Sequence, residues 1–248
     1  MYVNSDITSK SCKKTRNRKK KLRVIKIMSV QENNIHKLWP LLIGDFYNYD
    51  HPLIKEELIN FFLNYEKKIP EGNTQLADKD HVGNFNLYQS NYDLHNENNA
   101  ILKNLLHFIA ESVLTVSKKA NEKLVANLNN KDQKYNVNIK ESWFIKYKKG
   151  GIVYPHHHDG SSWSCVYYVQ IGEDASKKNG STYFIRPYNS TSKTDFGSKY
   201  LREDNQIFTA KEGRLLIWPS FLYHGSQPYS GEKDRIIISA NLTVDLKD

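Results

Sequence analysis

Two long segments in the first half of the chain repeat apolar residues at helical spacing. Residues 51–68, HPLIKEELINFFLNYEKK, place Pro52 in the first turn and apolar side chains at every third or fourth position after it. Residues 97–128 show the same periodicity over a longer stretch. Both segments predict amphipathic helices that pack against a sheet. Residues 82–96, which lie between them, are aromatic and interrupted by turn residues, and they predict a strand and a loop.

The pattern changes after residue 136, where short runs of β-branched and aromatic residues are separated by Gly, Pro, Asn or Ser. These runs predict five strands: NVNIKESWFIKYKKGG (136–151), WSCVYYVQI (163–171), STYFIRP (181–187), RLLIWP (214–219) and DRIIISANLTV (234–244). Since no helical segment separates them, they point to an antiparallel sandwich or jelly roll. The expected fold is therefore mainly β, with N-terminal helices packed against a jelly roll (α+β).

Basic charge is concentrated at the N-terminus. The chain has 248 residues and a net charge of +9, and residues 1–27 hold ten Lys or Arg against one acid, Asp6. The remainder has 26 basic and 26 acidic residues and is neutral. A basic run with few apolar residues predicts a disordered tail, which could contact nucleic-acid phosphates weakly and without base specificity.

The length of the neutral part fits one substantial core. We expect a single domain over residues 28–248, in which residues 28–135 form a helical support and residues 136–246 form the jelly-roll core. Met1 and Met28 are the only methionines, and the sequence leaves open at which of them translation begins.

Neither the cysteines nor the hydropathy pattern indicates a secreted or membrane protein. Cys12 lies in the basic tail and Cys165 in a predicted buried strand, so a structural disulfide is not expected. No apolar run approaches the ~20 residues of a membrane-spanning helix, and the N-terminus lacks the apolar core of a secretory signal. We therefore expect a cytoplasmic protein with no membrane partner. The sequence does not indicate its oligomeric state.

Three consecutive histidines and an aspartate, in YPHHHDGSSWSC, are the densest group of candidate metal ligands. Adjacent side chains of an extended segment face opposite sides, so His156 and His158 share one face while His157 and Asp159 share the other. Either pair could supply two ligands, and the distant His224 offers a third. Two neighbouring ligands, a distant one and open positions are typical of a mononuclear oxygen-activating iron centre. A closed structural zinc site would want four ligands.

Arg235 stands eleven residues after His224 and opens the predicted strand RIIISANLTV. A guanidinium at the head of an apolar strand is costly to bury without an anion, and its planar fork suits a carboxylate. An HxH or HxD pair, a distant histidine and then an arginine together predict a metal centre with an anion-binding arginine beside it.

The segments PHHHDGSSWSCVYYV and EGRLLIWPSFLYHGSQPYSGEKDRIIISANL resemble a family of 2-oxoglutarate- and iron(II)-dependent oxygenases found largely in marine bacteria and phages. That family reads approximately P-H-x-H-P-x-S-x-L-S-G-V-Y-Y-V, then E-G-x-L-x-x-F-P-S-x-x-x-H-x-x-x-P and R-I-S-I-S-F-N. A gapless alignment places His156 and His158 on the paired histidines of the family and His224 on its distal histidine. Arg235 falls on the arginine expected to bind the far carboxylate of 2-oxoglutarate.

This resemblance implies a double-stranded β-helix, the cupin-like jelly roll, and a dioxygenase that uses Fe(II), O2 and 2-oxoglutarate as co-substrate. Such an enzyme hydroxylates its substrate and releases succinate and CO2, and no catalytic residue beyond the metal ligands is implied. Asp159 stands where the family has proline, so His157 and Asp159 stay an alternative first pair, although the register favours His156 and His158. The substrate, a small molecule or a protein side chain, is not disclosed by the sequence.

Other classes of function fit parts of the chain. A non-catalytic cupin-like module would keep the jelly roll and bind a metal or another ligand without turnover. A nucleic-acid-binding function would rest on residues 1–27 and would supplement the main activity, because the body of the chain is neutral. A hydrolytic zinc enzyme would need a general base, which the sequence does not place.

Overall fold

The computed structural model describes residues 41–73, 84–127, 133–172, 179–187 and 205–247, all within one compact unit that spans Leu41–Asp248. The first half contributes β1 (Gly44–Tyr47), α1 (His51–Lys68), β2 (Asn84–Gln89), a 3-10 turn (Leu94–Asn96), α2 (Ala100–Ala120) and α3 (Glu122–Asn127). The second half contributes β3 (Tyr135–Val153), β4 (Trp163–Gln170), β5 (Thr182–Ile185), β6 (Asn205–Phe208), β7 (Arg214–Pro219), β8 (His224–Ser226) and β9 (Arg235–Leu246). The basic tail, residues 1–27, lies outside the described residues, so its predicted disorder and nucleic-acid contact stay predictions.

Most of the predicted elements are present. The helix over residues 51–68 has the predicted bounds, and Pro52 occupies its first turn. The longer predicted helix is divided at Asn121 into α2 and α3. The strand in residues 82–96 is β2, and the five predicted strands of the second half are β3, β4, β5, β7 and β9. The short strands β1, β6 and β8 were not predicted, because three or four residues show too few alternations to stand out.

The strands form two antiparallel sheets. A six-stranded sheet has the order β1-β7-β4-β9-β3-β2, and a three-stranded sheet has the order β6-β5-β8. The N-terminal support is therefore not only helical, since β1 and β2 form the two edges of the large sheet. Strand β9 pairs with both β3 and β4 at the centre of that sheet. This arrangement is the predicted jelly roll packed against helices.

Both faces of the large sheet are buried, which explains why its strands read as almost continuous apolar runs. One face packs against α1 and α2, and its residues include Ile236, Ile238, Ala240 and Leu242 of β9. The intervening residues of β9 turn to the opposite face, toward the small sheet, and so do Tyr147 of β3 and Trp218 of β7. Period-two alternation thus decides which side chains can reach the space between the two sheets.

Although charged residues interrupt its apolar sequence, helix α2 is long and apolar enough on average to cross a membrane by length and composition. Its buried residues are Leu102, Leu105, Leu106, Ile109, Ser112, Val113, Val116 and Ser117, and the apolar ones belong to the core between the helices and the large sheet. The side chain of Asn99 caps its N-terminus by accepting from the Leu102 backbone N–H at 2.9 Å. Packing on the sheet accounts for the apolar composition of the helix.

Candidate metal centre

A cavity of about 340 Å³ opens between the large and small sheets. Its lining brings together side chains from β3, β4, β5, β7, β8 and β9 and from the loop after β3. His156, His158, His224 and Arg235, all selected from the sequence, are among the lining residues. A cavity of this size is in the range that holds small organic ligands.

The backbone brings the paired histidines and the distal histidine together. His156 and His224 form an isolated antiparallel bridge in which each backbone N–H donates to the carbonyl of the other at 2.9 Å. The backbone N–H of His158 donates to the carbonyl of Ser220, also at 2.9 Å. These three hydrogen bonds fix the two ligand-bearing segments side by side, although about seventy positions separate them along the chain.

The three side chains form one cluster. Their potential ligand nitrogens all lie within 4.8 Å of one another. The ring centroids are 4.4 Å apart for His156 and His224, 4.9 Å for His156 and His158, and 5.2 Å for His158 and His224. Among the described residues, this is the group of His, Cys, Asp or Glu side chains that could hold a metal ion.

Two of the rings are oriented by the main chain. His156 donates its Nδ1–H to the carbonyl of Tyr154 at 2.8 Å, and His224 donates its own to the carbonyl of Leu222 at 2.9 Å. In both cases the carbonyl belongs to the residue two positions earlier. With Nδ1 engaged as a donor, Nε2 keeps the free lone pair, which is the form in which a neutral imidazole binds a metal.

Burial keeps the three imidazoles neutral. Loss of solvent lowers the pKa of His156, and it lowers the pKa of His224 well below the usual value. Burial, with a smaller contribution from the neighbouring His156 and His157, lowers the pKa of His158 to about 3. Because a metal binds the unprotonated ring, the cluster is ready to accept one at neutral pH without releasing imidazolium protons.

The lowered pKa values of the half-buried His156 and His158 and of the buried His224 also predict a loss of stability in acid. The pKa values of His156, His158 and His224 in the folded chain lie below 6.5, so below that pH the unfolded chain binds more protons than the folded chain. Above pH 6.5 these rings are neutral in both states and do not affect stability; below that pH the free energy of unfolding falls, and for His158 the fall continues to about pH 3. We expect the Tm of the metal-free protein to fall steadily from about pH 6.5 downward. His158→Gln should show a shallower fall in thermal scans, and an equal fall in both proteins would contradict this assignment.

His157 and Asp159, the alternative first pair, lie outside the histidine cluster. The Asp159 carboxylate is 92% exposed and lies 3.5 Å from Nδ1 of His157. The ring of His157 contacts that of Tyr223 at a tilt of 60°, with the ring centroids 4.7 Å apart. The structure thus brings His156, His158 and His224 together, and it does not place His157 or Asp159 among the clustered ligand atoms.

Arg235 is 1% exposed and lies in the same cavity as the histidine cluster. Its guanidinium carbon is 4.2 Å from the ring centroid of Tyr147 and 5.4 Å from that of Tyr168. Nε and Nη1 are buried and have no hydrogen-bond partner in the part of the chain that the structure describes. Aromatic rings offset part of the cost of burying this cation, but its donors remain available for an anion.

Gly180 leaves the space that the Arg235 side chain fills. Its φ of +60° lies in the left-handed region, and a Cβ there would come within 2.7 Å of Cδ and 2.8 Å of Nε of Arg235. Any larger residue would be strained and would push the guanidinium out of place. The arginine is therefore held between two aromatic rings and a glycine.

Sequence reasoning missed two polar side chains of the cavity. Trp218 is buried, its ring lies 4.5 Å from that of His224, and its Nε1 has no partner among the described residues. The amide nitrogen Nδ2 of Asn241 lies 3.3 Å from Nδ1 of His158. The signal for Asn241 was present in the sequence, because it stands six residues after Arg235 and therefore on the same face of an extended strand.

The segment that carries these site residues is similar to a known protein family. Residues 141–241 match a family model described as "Putative 2OG-Fe(II) oxygenase", and this segment contains the three histidines and Arg235. The match confirms the predicted resemblance and the predicted class of enzyme. No curated protein matches the chain.

Several solved structures are similar to the chain at low identity. One is HygX from Streptomyces hygroscopicus with nickel, 2-oxoglutarate and hygromycin B bound, at 12% identity and TM-score 0.49, covering 82% of each chain. A second is a Pseudomonas putida prolyl-4-hydroxylase, at 11% identity and TM-score 0.47, covering 81% of this chain and 91% of that one. A third is the viral collagen prolyl hydroxylase from Paramecium Bursaria Chlorella virus-1 in its 2-oxoglutarate complex, at 17% identity and TM-score 0.40, covering 81% and 94%.

Proposed function

We propose, from the match of residues 141–241 to the 2OG-Fe(II) oxygenase family, that this chain is a dioxygenase that hydroxylates an organic substrate and converts 2-oxoglutarate to succinate and CO2. His156, His158 and His224 are the proposed iron(II) ligands, and Arg235 is the proposed ligand of the distal carboxylate of 2-oxoglutarate. The observation that carries the proposal is that the histidine cluster and the buried arginine line the same cavity.

The residues present fit both groups. Three neutral imidazoles offer nitrogen ligands that suit iron(II) and leave coordination positions for ligands from outside the protein. At Arg235, two buried donors without a protein partner fit an anion, and the planar guanidinium fits a carboxylate through two parallel hydrogen bonds. A dicarboxylate with an adjacent keto group can engage both features at once.

In the proposed mechanism the chain positions the reactants. Arg235 holds one end of 2-oxoglutarate, and the rings of Tyr147 and Tyr168 prevent the guanidinium from turning away. The carbonyls of Tyr154 and Leu222 hold the Nδ1 protons of His156 and His224 throughout. Bound iron(II) supplies the activation of O2, which is coupled to the decarboxylation of 2-oxoglutarate.

The proposed primary substrate is a small molecule or a protein side chain that enters the same cavity. The size of the cavity supports this, since about 340 Å³ accommodates a compact organic group beside a co-substrate. The cytoplasmic location stays a prediction, as do the single domain over residues 28–248 and the weak contact of residues 1–27 with nucleic acid.

The experiment that tests the proposal is anaerobic reconstitution with iron(II), followed by exposure to O2 and measurement of succinate formed from 2-oxoglutarate. We expect succinate to form slowly without a primary substrate and not to form when a chelator is present. His157→Ala and Asp159→Ala should each retain this activity, since neither side chain belongs to the cluster. A wild-type protein that binds neither iron nor 2-oxoglutarate would disprove the proposal and favour a non-catalytic cupin-like module.

A further inference from the structure

A carboxylate lies beside one end of the cavity between the sheets. Glu141 is half-buried on β3 and stands two residues before Trp143, so both side chains lie on the cavity face of the large sheet. Its Oε2 accepts from the amide nitrogen of Asn241, which also lines the cavity, at 2.7 Å. Within the part of the chain that the structure describes, Oε1 makes no hydrogen bond and no Lys or Arg pairs with this carboxylate. Glu141 is therefore a half-buried anion without a cationic partner there, which is a costly state.

Two aromatic rings lie next to this carboxylate. Tyr92 and Trp143 both line the cavity, and their rings meet edge to face, with centroids 5.0 Å apart and planes at 84°. The backbone N–H of Ser142 donates to the carbonyl of Tyr92 at 2.8 Å, which fixes Tyr92 beside residues 141–143. Burial raises the pKa of Tyr92, a hydrogen bond with Gln89 lowers it, and the negative charge of Glu141 raises it again. A carboxylate beside aromatic rings is an arrangement that binds organic cations.

The carboxylate and Arg235 belong to opposite ends of the cavity. Arg235 is the lining side chain with a permanent charge among the described residues, and it stands six residues before Asn241 on β9, about 20 Å along the strand. The end with Glu141 adjoins the histidine cluster, because the ring centroid of Trp143 is 5.7 Å from that of His158. The cavity thus has a cation at one end for an anionic ligand and an anion at the other end, beyond the histidines.

We propose that Glu141, Tyr92 and Trp143 form the subsite for the primary substrate, and that this substrate carries an ammonium or guanidinium group. The inference rests on the proposed function and specifies its substrate class. Glu141 accepts hydrogen bonds from the cation, and the two rings contact its apolar surroundings. Since the amide of Asn241 alone separates Glu141 from the ring of His158, the carbon that is oxidised lies within a few bonds of the cationic nitrogen. A free amine and a basic side chain of a protein share this chemistry.

The first test is an NMR titration of the metal-free protein with n-butylammonium and, separately, with n-butanol, its uncharged counterpart of similar size. The readout is the indole N–H resonance of Trp143, which is assigned by its loss in Trp143→Phe. We expect n-butylammonium to shift this resonance saturably at millimolar concentrations and n-butanol to bind more weakly. Equal affinity for the two probes, or no shift with either, would overturn the inference.

The second test removes the charge and keeps the packing. In Glu141→Gln the side chain has the same size, and its amide oxygen still accepts from Asn241, so the fold of this region should be retained. We expect the affinity for n-butylammonium to fall about tenfold, since the cation loses a charged hydrogen-bond partner. Asp159→Asn is the matched control, because it removes a carboxylate that is 92% exposed and lies away from Tyr92 and Trp143. An equal affinity in Glu141→Gln and Asp159→Asn would contradict the assignment of Glu141.

The contribution of the aromatic rings is tested at Tyr92. Tyr92→Phe keeps the ring and should bind n-butylammonium as the wild type does, whereas Tyr92→Leu should bind it about threefold more weakly. The affinity for n-butanol should be the same in both variants. If Tyr92→Leu bound the cation as well as Tyr92→Phe does, the ring would have no part in the subsite.

The source of the cation is read from turnover of the iron-loaded protein. Succinate formation is measured with L-lysine, L-arginine, short peptides that contain these residues, and L-norleucine as the uncharged analogue of lysine. Stimulation by the free amino acids would support a small amine as substrate, and stimulation by the peptides alone would support a protein side chain. Stimulation by L-norleucine equal to that by L-lysine would overturn the inference. If the wild type binds no iron(II), the proposed function fails, whereas the titration of Trp143 still decides whether a cation binds beside Glu141.

Discussion

Replacement of His224 by alanine is expected to abolish iron(II) binding and, with it, the formation of succinate from 2-oxoglutarate. His224 is the buried member of the cluster, and its ring lies 4.4 Å from that of His156 and 5.2 Å from that of His158. Removal of a partner of a metal ligand costs about 10–100-fold in affinity, so removal of a ligand itself should cost more than about 100-fold.

The variant must be distinguished from one that fails to fold. The backbone bridge between His156 and His224 does not depend on the imidazole and should survive the substitution. His224→Gln, which fills more of the buried space and keeps a polar group, should also lose iron(II) while keeping a cooperative thermal transition. The measurements are anaerobic calorimetry with iron(II) and the succinate assay. Retention of full iron affinity in both variants would remove His224 from the metal site.

The choice between the two candidate ligand pairs shows what could be predicted from the sequence and what could not. Strand alternation alone put His156 and His158 on one side and His157 and Asp159 on the other, and the structure has this division. It could not select the side that faces the cavity, because that depends on pairing with a segment about seventy residues away. The isolated bridge between His156 and His224 supplies that information.

For the fold, too, the faces of single strands could be predicted from the sequence, whereas the pairing of distant strands could not. The buried strand β9 has apolar residues on its helix-facing side and Arg235, Ser239 and Asn241 on its cavity side, a pattern that is visible in RIIISANLTV. The sequence could not show that Asn241 lies between Glu141 and Ser164, because this depends on the register of three strands. Long-range register is set by packing of the whole sheet and leaves no local signal.

The second large effect is expected at Arg235. Arg235→Met should raise the KM for 2-oxoglutarate by about 30-fold or more, since loss of one partner of a buried, hydrogen-bonded charge pair costs ~2–5 kcal/mol. Arg235→Lys should also be impaired, because an ammonium cannot form two parallel hydrogen bonds to a carboxylate or stack on Tyr147 and Tyr168 in the same way. Iron(II) affinity should change little in either variant, because Arg235 is not part of the histidine cluster.

Replacement of Arg235 by methionine is expected to maintain or raise the Tm while it weakens the binding of 2-oxoglutarate. In the protein without co-substrate, Nε and Nη1 of Arg235 are buried without partners among the described residues, which is an unfavourable state for a cation. An apolar side chain of similar length removes that cost, so Arg235→Met should have a Tm equal to or above that of the wild type. Added 2-oxoglutarate should raise the Tm of the iron-loaded wild type and leave that of Arg235→Met unchanged. A lower Tm without ligand, together with an unaltered KM, would mean that the buried arginine serves the fold. A higher Tm with a raised KM would mean that its burial is maintained for the co-substrate.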